Sequence, residues 1–399
     1  MVWNSDTHYA LGLYRKIGWI LGIWSPDFGN IFSNIRLAFV IMLTTYMCFN
    51  FLNQLFRNDA CATVTEIVDI IGYLSGGISV LIKLTILITH QNSICIIVNR
   101  AIKDWSSDII DHRSRSIMLR YAGVGRKIFI SQAVSYCIVW FSIIYNRFPS
   151  FEYFRNYQSN SSSAIIIGVP LWPDCWIQTD ISMKYYTAMF ILQSITLAVI
   201  NASFCNFDCF FFGMVMHLCG QFQALSTNFE YFHEGGDREY YNHQLIKLVK
   251  RHRYLLKLAN RFEDTYNLCI LIHVGVATMI ICVTGLVLLD GLQSSDFVIV
   301  VDMASRIFVT YLQLIMYCYA GEQLRTEAMN LKNIIHNSSW FDMPLNTVKE
   351  MILIIIRSDC PINLTAGKIF TLNLPNFISI VKTISSYFSV IRLTFKKDI

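Results

Sequence analysis

Seven stretches of this chain are apolar over about the 20 residues that a helix needs to cross a hydrocarbon core about 30 Å thick. They lie near residues 35–56, 67–90, 128–147, 185–217, 265–289, 296–318 and 369–393. No water in such a core satisfies backbone N–H and C=O groups, so segments like these must be helices that close their own hydrogen bonds. The expected fold class is all-α integral membrane, with seven transmembrane helices. Composition agrees: 54% of the 399 residues are hydrophobic and 15% are charged, against about 25% charged in a soluble domain. The opening MVWNSDTHYALGLYRK lacks the basic-then-apolar pattern of a cleaved signal peptide. The first apolar stretch is therefore expected to act as the insertion signal.

Lysine and arginine set the orientation. The segments 91–127 and 218–264 hold seven each and 319–368 holds five. The alternating loops 57–66, 148–184 and 290–295 hold one, two and none. Basic residues favour the cytoplasmic side, which puts the N-terminus inside. The long loop 148–184 is then outside, in agreement with the glycosylation acceptor Asn160 in Asn160-Ser161-Ser162. Cys61 and Cys175 also fall in outer loops and could be bridged, whereas most of the 12 cysteines sit inside apolar stretches as small hydrophobes. A G-protein-coupled receptor has the opposite orientation, and the third and seventh stretches lack such receptors' acidic-Arg-aromatic and Asn-Pro-x-x-Tyr sequences.

The fourth apolar stretch runs without proline from Tyr185 to about Gly220, on the order of 50 Å of helix. It should project well into the cytoplasm. A helical period continues through 243–264, and 321–339 and 344–357 read as amphipathic cytoplasmic helices. The inner ends of helices four to seven are thus expected to extend into a cytoplasmic anchor bundle. Among intramembrane charges, Lys83 is expected to snorkel from the inner end of the second helix. Asp208 is expected past the bilayer, Asp302 and Arg306 are spaced to pair, and His273 reads as a core residue.

The last apolar stretch differs from the others. Asn376, Ser379, Thr383, Ser386, Val390 and Leu393 recur at spacings of three and four and share one helix face. The opposite face carries Phe377, Ile380, Ile384, Phe388 and Ile391. Small polar residues on a membrane helix either pack against a neighbouring helix or line a pore. In the second case Val390 and Leu393 form a constriction that closes by dewetting. No Gly-rich phosphate loop, Gly-x-Ser-x-Gly sequence or His–Cys metal cluster is present. The chain reads as no enzyme and as needing no cofactor, catalytic residue or metal.

Several motifs carry a resemblance. Tyr317-Cys318-Tyr319-Ala320-Gly321-Glu322-Gln323-Leu324, Glu327-Ala328 and Ser339-Trp340-Phe341 resemble the sixth-to-seventh-helix signature of insect odorant receptors. So do Leu364-Thr365-Ala366-Gly367-Lys368-Ile369-Phe370, Leu372-Asn373-Leu374-Pro375-Asn376-Phe377 and Ile380-Val381-Lys382-Thr383-Ile384-Ser385-Ser386-Tyr387-Phe388. Ala320 and Pro375 depart from the usual pattern, which has an aromatic and an acidic or polar residue there.

The resemblance implies a tuning subunit of a ligand-gated, non-selective cation channel in a plasma membrane, in a sensory dendrite or cilium. Its implied partners are olfactory co-receptor subunits in a heterotetramer, a small volatile odorant, permeant cations and the lipid membrane, with no nucleic acid. A gustatory-type channel of the same superfamily is the nearest alternative. The implied division is a cytoplasmic or interfacial segment 1–34, helices one to six over 35–318, anchor helices over 319–368, and a pore-lining helix with a short extracellular C-terminus over 369–399. The implied pocket lies in the outer leaflet among helices two, three, four and six. The outer halves of those helices offer Tyr73, Ser75, Tyr136, Trp140, Ile144, Met189, Gln193, Thr196, Met303 and Ile307, residue types suited to an apolar pocket with a few polar groups.

Overall fold

Proline interrupts helices, and the prolines among the described residues, Pro26, Pro170, Pro344 and Pro375, fall in a 3-10 turn, in a turn between helices or at helix starts. The result is a set of very long uninterrupted helices. The computed structural model describes residues 3–56, 64–106, 111–148, 169–171, 183–230, 238–338, 344–360 and 362–395. Asn160, Cys61 and Cys175 lie outside these residues, and the side chains of Ile391 and Leu393 lie outside the described side chains.

The helices are α1 (Ser5–Ile20), α2 (Ile31–Phe56), α3 (Val64–Thr89), α4 (Gln91–Ser106) and α5 (His112–Arg147). They continue with α6 (Met183–Glu230), α7 (Arg238–Ser294), α8 (Phe297–Asn337), α9 (Leu345–Ser358) and α10 (Leu374–Phe395). Among the described residues, α2, α3, α5, α6, α7 and α8 are long and apolar enough to cross a membrane. Helix α10 covers the seventh apolar stretch with 22 residues, about 33 Å at 1.5 Å per residue. Helix α6 has 48 residues and α7 has 57, about 72 and 85 Å, far beyond a hydrocarbon core. The expected separate helices at 243–264 and 321–339 are the continuations of α7 and α8.

The end that the basic residues assign to the cytoplasm is packed like a soluble protein. Phe211, Phe212, Phe222, Phe229, Phe262, Tyr266 and Tyr317 are fully buried there. The Phe211 and Tyr317 ring centroids lie 4.8 Å apart and those of Phe262 and Tyr266 lie 4.6 Å apart. Helices α1 and α4 join this bundle, which the sequence reading built from helices four to seven alone. Asn4 caps α1 by accepting from the Thr7 N–H at 2.8 Å and donates to the Trp105 carbonyl at the end of α4. Beside Trp105, Asp104 accepts from Arg251 at 2.9 Å and meets His217 at 3.4 Å. Burial pushes the Asp104 carboxyl up, but the His217 hydrogen bond and the Arg251 charge outweigh it, and the net shift is downward.

The two motif regions are halves of one joint. Thr365–Ala366 and Phe370–Thr371 pair as a minimal antiparallel hairpin, and Gly367 at φ +58° and Lys368 at φ +61° are the central residues of its turn, closed by the Ile369 N–H donating to the Ala366 carbonyl at 3.0 Å. A turn with both central residues left-handed favours glycine. Its tip sits on α7: the Gly367 N–H donates to the Asn267 carbonyl at 2.8 Å, and Lys368 Nζ donates to Glu263 and Asp264 at 2.7 Å. Thr365 donates to Glu263 as well. The following Leu372 lies on Gly321 of α8, where an added Cβ would come within 2.3 Å of the Leu372 carbonyl oxygen. Asn373 then caps α10 by accepting from the Asn376 N–H at 2.7 Å. Gly321 and Gly367 therefore hold the start of α10 against α7 and α8.

Candidate functional site

Helices α2, α3, α5, α6, α7 and α8 line a partly open cavity of about 170 Å³. Its walls are mostly apolar: Val68, Val139, Ile143, Leu197, Ile200, Phe204 and Ile280. On α3, Gly72 and Gly76 face open space, since an added Cβ would meet nothing within 4 Å. Missing side chains one helical turn apart thus form part of the volume. Tyr73, Tyr136, Asn201, Thr284, Arg306, Thr310 and Gln313 supply polar atoms at the wall. Arg306 is paired with Asp302 at 2.7 Å, as their spacing of four predicts.

A buried charged cluster adjoins the cavity. Lys83 Nζ lies 2.5 Å from Asp208 Oδ1, with both side chains 2% exposed. Tyr317 donates to the same oxygen at 2.6 Å. Gln313, on the cavity wall, donates to Asp208 Oδ2 at 3.4 Å and to the Tyr136 hydroxyl. His273 Nδ1 stands 3.9 Å from Oδ2, and the Lys83 ammonium lies 3.7 Å from the Phe204 ring centroid. This corrects one expectation: Lys83 is buried on an ion pair and does not snorkel. A charge in an apolar interior is tolerable when paired and hydrogen-bonded, and here the partner sits on another helix at the same depth.

Helix α10 packs on α7 and α8 through one face. Ile384 is buried, and Phe377, Ile380 and Phe388 are half-buried, with Phe388 against Gly285. Ser379, Thr383, Ser386 and Val390 are exposed, and the exposed half also carries Lys382, Ser385 and Ser389. The hydroxyls of Thr383, Ser385 and Ser389 donate to carbonyls one turn back, which satisfies their donors inside a membrane. Asn376 is half-buried and donates to the Thr371 carbonyl at 2.6 Å.

A family model described as 7tm Odorant receptor matches residues 63–385, most of the chain. The chain belongs to the odorant receptor family. Odorant receptor 10 of Aedes albopictus is 22% identical over 289 residues, 72% of each chain. Odorant receptor 13a of Drosophila melanogaster is 24% identical over 202 residues, 46% of this chain and 47% of that one. The solved olfactory receptor OR5 of Machilis hrabei in complex with eugenol superposes with a TM-score of 0.77 at 14% identity, over 97% of this chain and 100% of that chain. The likeness to OR5 speaks for the fold. The chain is thus a helical membrane protein of a sensory receptor family and not an enzyme.

This odorant receptor brings two of the sequence-named pocket residues, Tyr73 and Tyr136, to the main cavity. Met189, Gln193 and Thr196 line a separate recess of about 20 Å³ between α2 and α6, room for about one water. There the Gln193 side-chain oxygen accepts from the Leu171 N–H at 3.0 Å. Ser75, Trp140, Ile144, Met303 and Ile307 line neither space. Ser75 donates to its own helix at Gly72, and Trp140 donates to the Ser194 carbonyl and so ties α5 to α6. Met303 packs in a small apolar cluster with Val68 and Val287. The sequence reading missed Gly72, Gly76, Asn201, Thr310 and Gln313. The Gly72-x-x-x-Gly76 spacing was the available signal, although it reads first as a helix-packing motif.

Proposed function

We propose that this odorant receptor is the odorant-specific subunit of a ligand-gated, non-selective cation channel. It assembles with the shared olfactory co-receptor as a heterotetramer in the plasma membrane of a sensory neuron dendrite or cilium. Volatile ligands occupy the cavity between α3, α5, α6, α7 and α8, and α10 lines the pore with Ser379, Thr383, Ser386, Val390 and Leu393, Asn376 standing at its start. The observation that carries this reading is the two-faced α10. Its bulky face is packed within the subunit while its hydroxyl-bearing face is left outward, which suits a water-filled lumen shared between subunits.

The cavity assignment is tested with a ligand panel on the assembled channel. Tyr73→Ala and Ile200→Phe change the shape of the main cavity and are expected to reorder potencies across the panel, each by on the order of tenfold. Met189→Ala, at the small recess, is expected to leave the rank order unchanged. Dose–response curves that move with Met189 and not with Tyr73 or Ile200 would place the ligand elsewhere.

A further inference from the structure

The charges around the cavity cancel in pairs. Arg306 is closed by Asp302, and Lys83 is closed by Asp208. The hydroxyls of Thr284 and Thr310 donate to their own helices, at the Ile280 and Arg306 carbonyls. The Gln313 amide is spent on Tyr136 and Asp208. Asn201, on the α6 wall between Leu197 and Phe204, differs from these. Its amide forms no hydrogen bond or ion pair with any described residue and lines the open volume. A carboxamide carries two donors and an acceptor, and an amide facing an apolar space gains most when a ligand supplies the missing partner.

We infer that the cavity takes neutral, oxygen-bearing volatiles and that Asn201 sets this preference by hydrogen-bonding the ligand's carbonyl or hydroxyl oxygen. This rests on the cavity being the odorant site. An ionised acid or amine would lose its hydration without an uncommitted counter-charge to meet, because both nearby ion pairs are closed. A hydrocarbon fills the volume and leaves the Asn201 amide without a partner, the arrangement that buried polar groups discriminate against. A ketone, ester or alcohol satisfies the amide and places its chain against Leu197, Ile200 and Phe204.

The test uses this chain assembled with the co-receptor and six probes of similar length: hexyl acetate, 2-heptanone, 1-heptanol, n-octane, heptanoic acid and heptylamine. Current amplitude and half-maximal concentration are read for the native chain, Asn201→Leu, Asn201→Gln and Tyr73→Ala, at matched surface expression. At least one neutral oxygenated probe is expected to exceed the other three probes. Asn201→Leu should raise its half-maximal concentration about tenfold, roughly one hydrogen bond's worth, and leave n-octane unmoved. Asn201→Gln should retain most of the native response. The inference is overturned if octane, the acid or the amine acts best, if no oxygenated probe acts, or if Asn201→Leu shifts ketone and alkane alike. In each case a response that still moves with Tyr73→Ala leaves the cavity reading standing, and curves unmoved by Tyr73→Ala remove it as well.

Discussion

Replacing Lys83 by methionine is expected to destabilise the receptor by about 3–5 kcal/mol, the usual result of removing one member of a buried ion pair. That is a large share of a typical folding free energy of about 5–15 kcal/mol. The Asp208 carboxylate would keep Tyr317 and Gln313 as donors, which places Lys83→Met near the lower end of that range. Asp208→Leu is expected to be worse. It strands the Lys83 ammonium among ring faces, with Phe204 at 3.7 Å and Phe207 at 5.5 Å, and cation–π contact recovers only about 2 kcal/mol of a lost counter-charge. Lys83→Met combined with Asp208→Leu should recover much of the loss, because two apolar side chains of similar volume bury no charge. Thermal melting of the purified receptor in detergent measures all three. Single variants that melt like the native protein would mean that the pair is hydrated and contributes little.

Val390→Ser is expected to raise ligand-independent current in the assembled channel. An apolar ring closes a narrow pore because water does not fill it, and a hydroxyl at that position lets water in. Val390 is 58% exposed on the isolated subunit, on the same half of α10 as Ser379, Thr383 and Ser386. Phe388 faces inward against Gly285 of α7, so Phe388→Ser should instead lower expression through lost packing. In the proposed heterotetramer co-receptor subunits would share the ring, and the Val390→Ser current is then expected to be a fraction of the ligand-evoked maximum. Accessibility of introduced cysteines to a thiol reagent from the outside separates the faces. Modification at 390 and 386 that blocks current supports the pore face, whereas block at 388 alone would put the pore on the packed side.

The membrane spans were legible because each apolar stretch is a one-dimensional signal, as is the i, i+4 pairing of Asp302 with Arg306. The two faces of α10 were legible for the same reason: Ser379, Thr383 and Ser386 against Phe377, Ile380, Ile384 and Phe388 is a helical period. The Lys83–Asp208 pair was not, since its members are 125 residues apart and their shared depth depends on how α3 and α6 slide past each other. The cavity was half legible. Tyr73 and Tyr136 were named from sequence and do line the cavity, but Gly72 and Gly76 contribute by having no side chain. Asn201 and Gln313 depend on helix rotation, which hydropathy does not fix. The packing of α1 and α4 into the inner bundle was hidden because their apolar stripes are short and interrupted by basic residues, for example Arg100 and Lys103.

Current evoked by volatiles in voltage-clamped cells expressing this chain, with and without the olfactory co-receptor, tests most directly whether it is a tuning subunit of an odorant-gated channel. The expected result is a dose-dependent cation current on co-expression and little or none from the chain alone. A robust current from the chain alone would contradict the tuning-subunit assignment. A response that persists when no ionic current flows, carried by G-protein signalling, would contradict the channel itself.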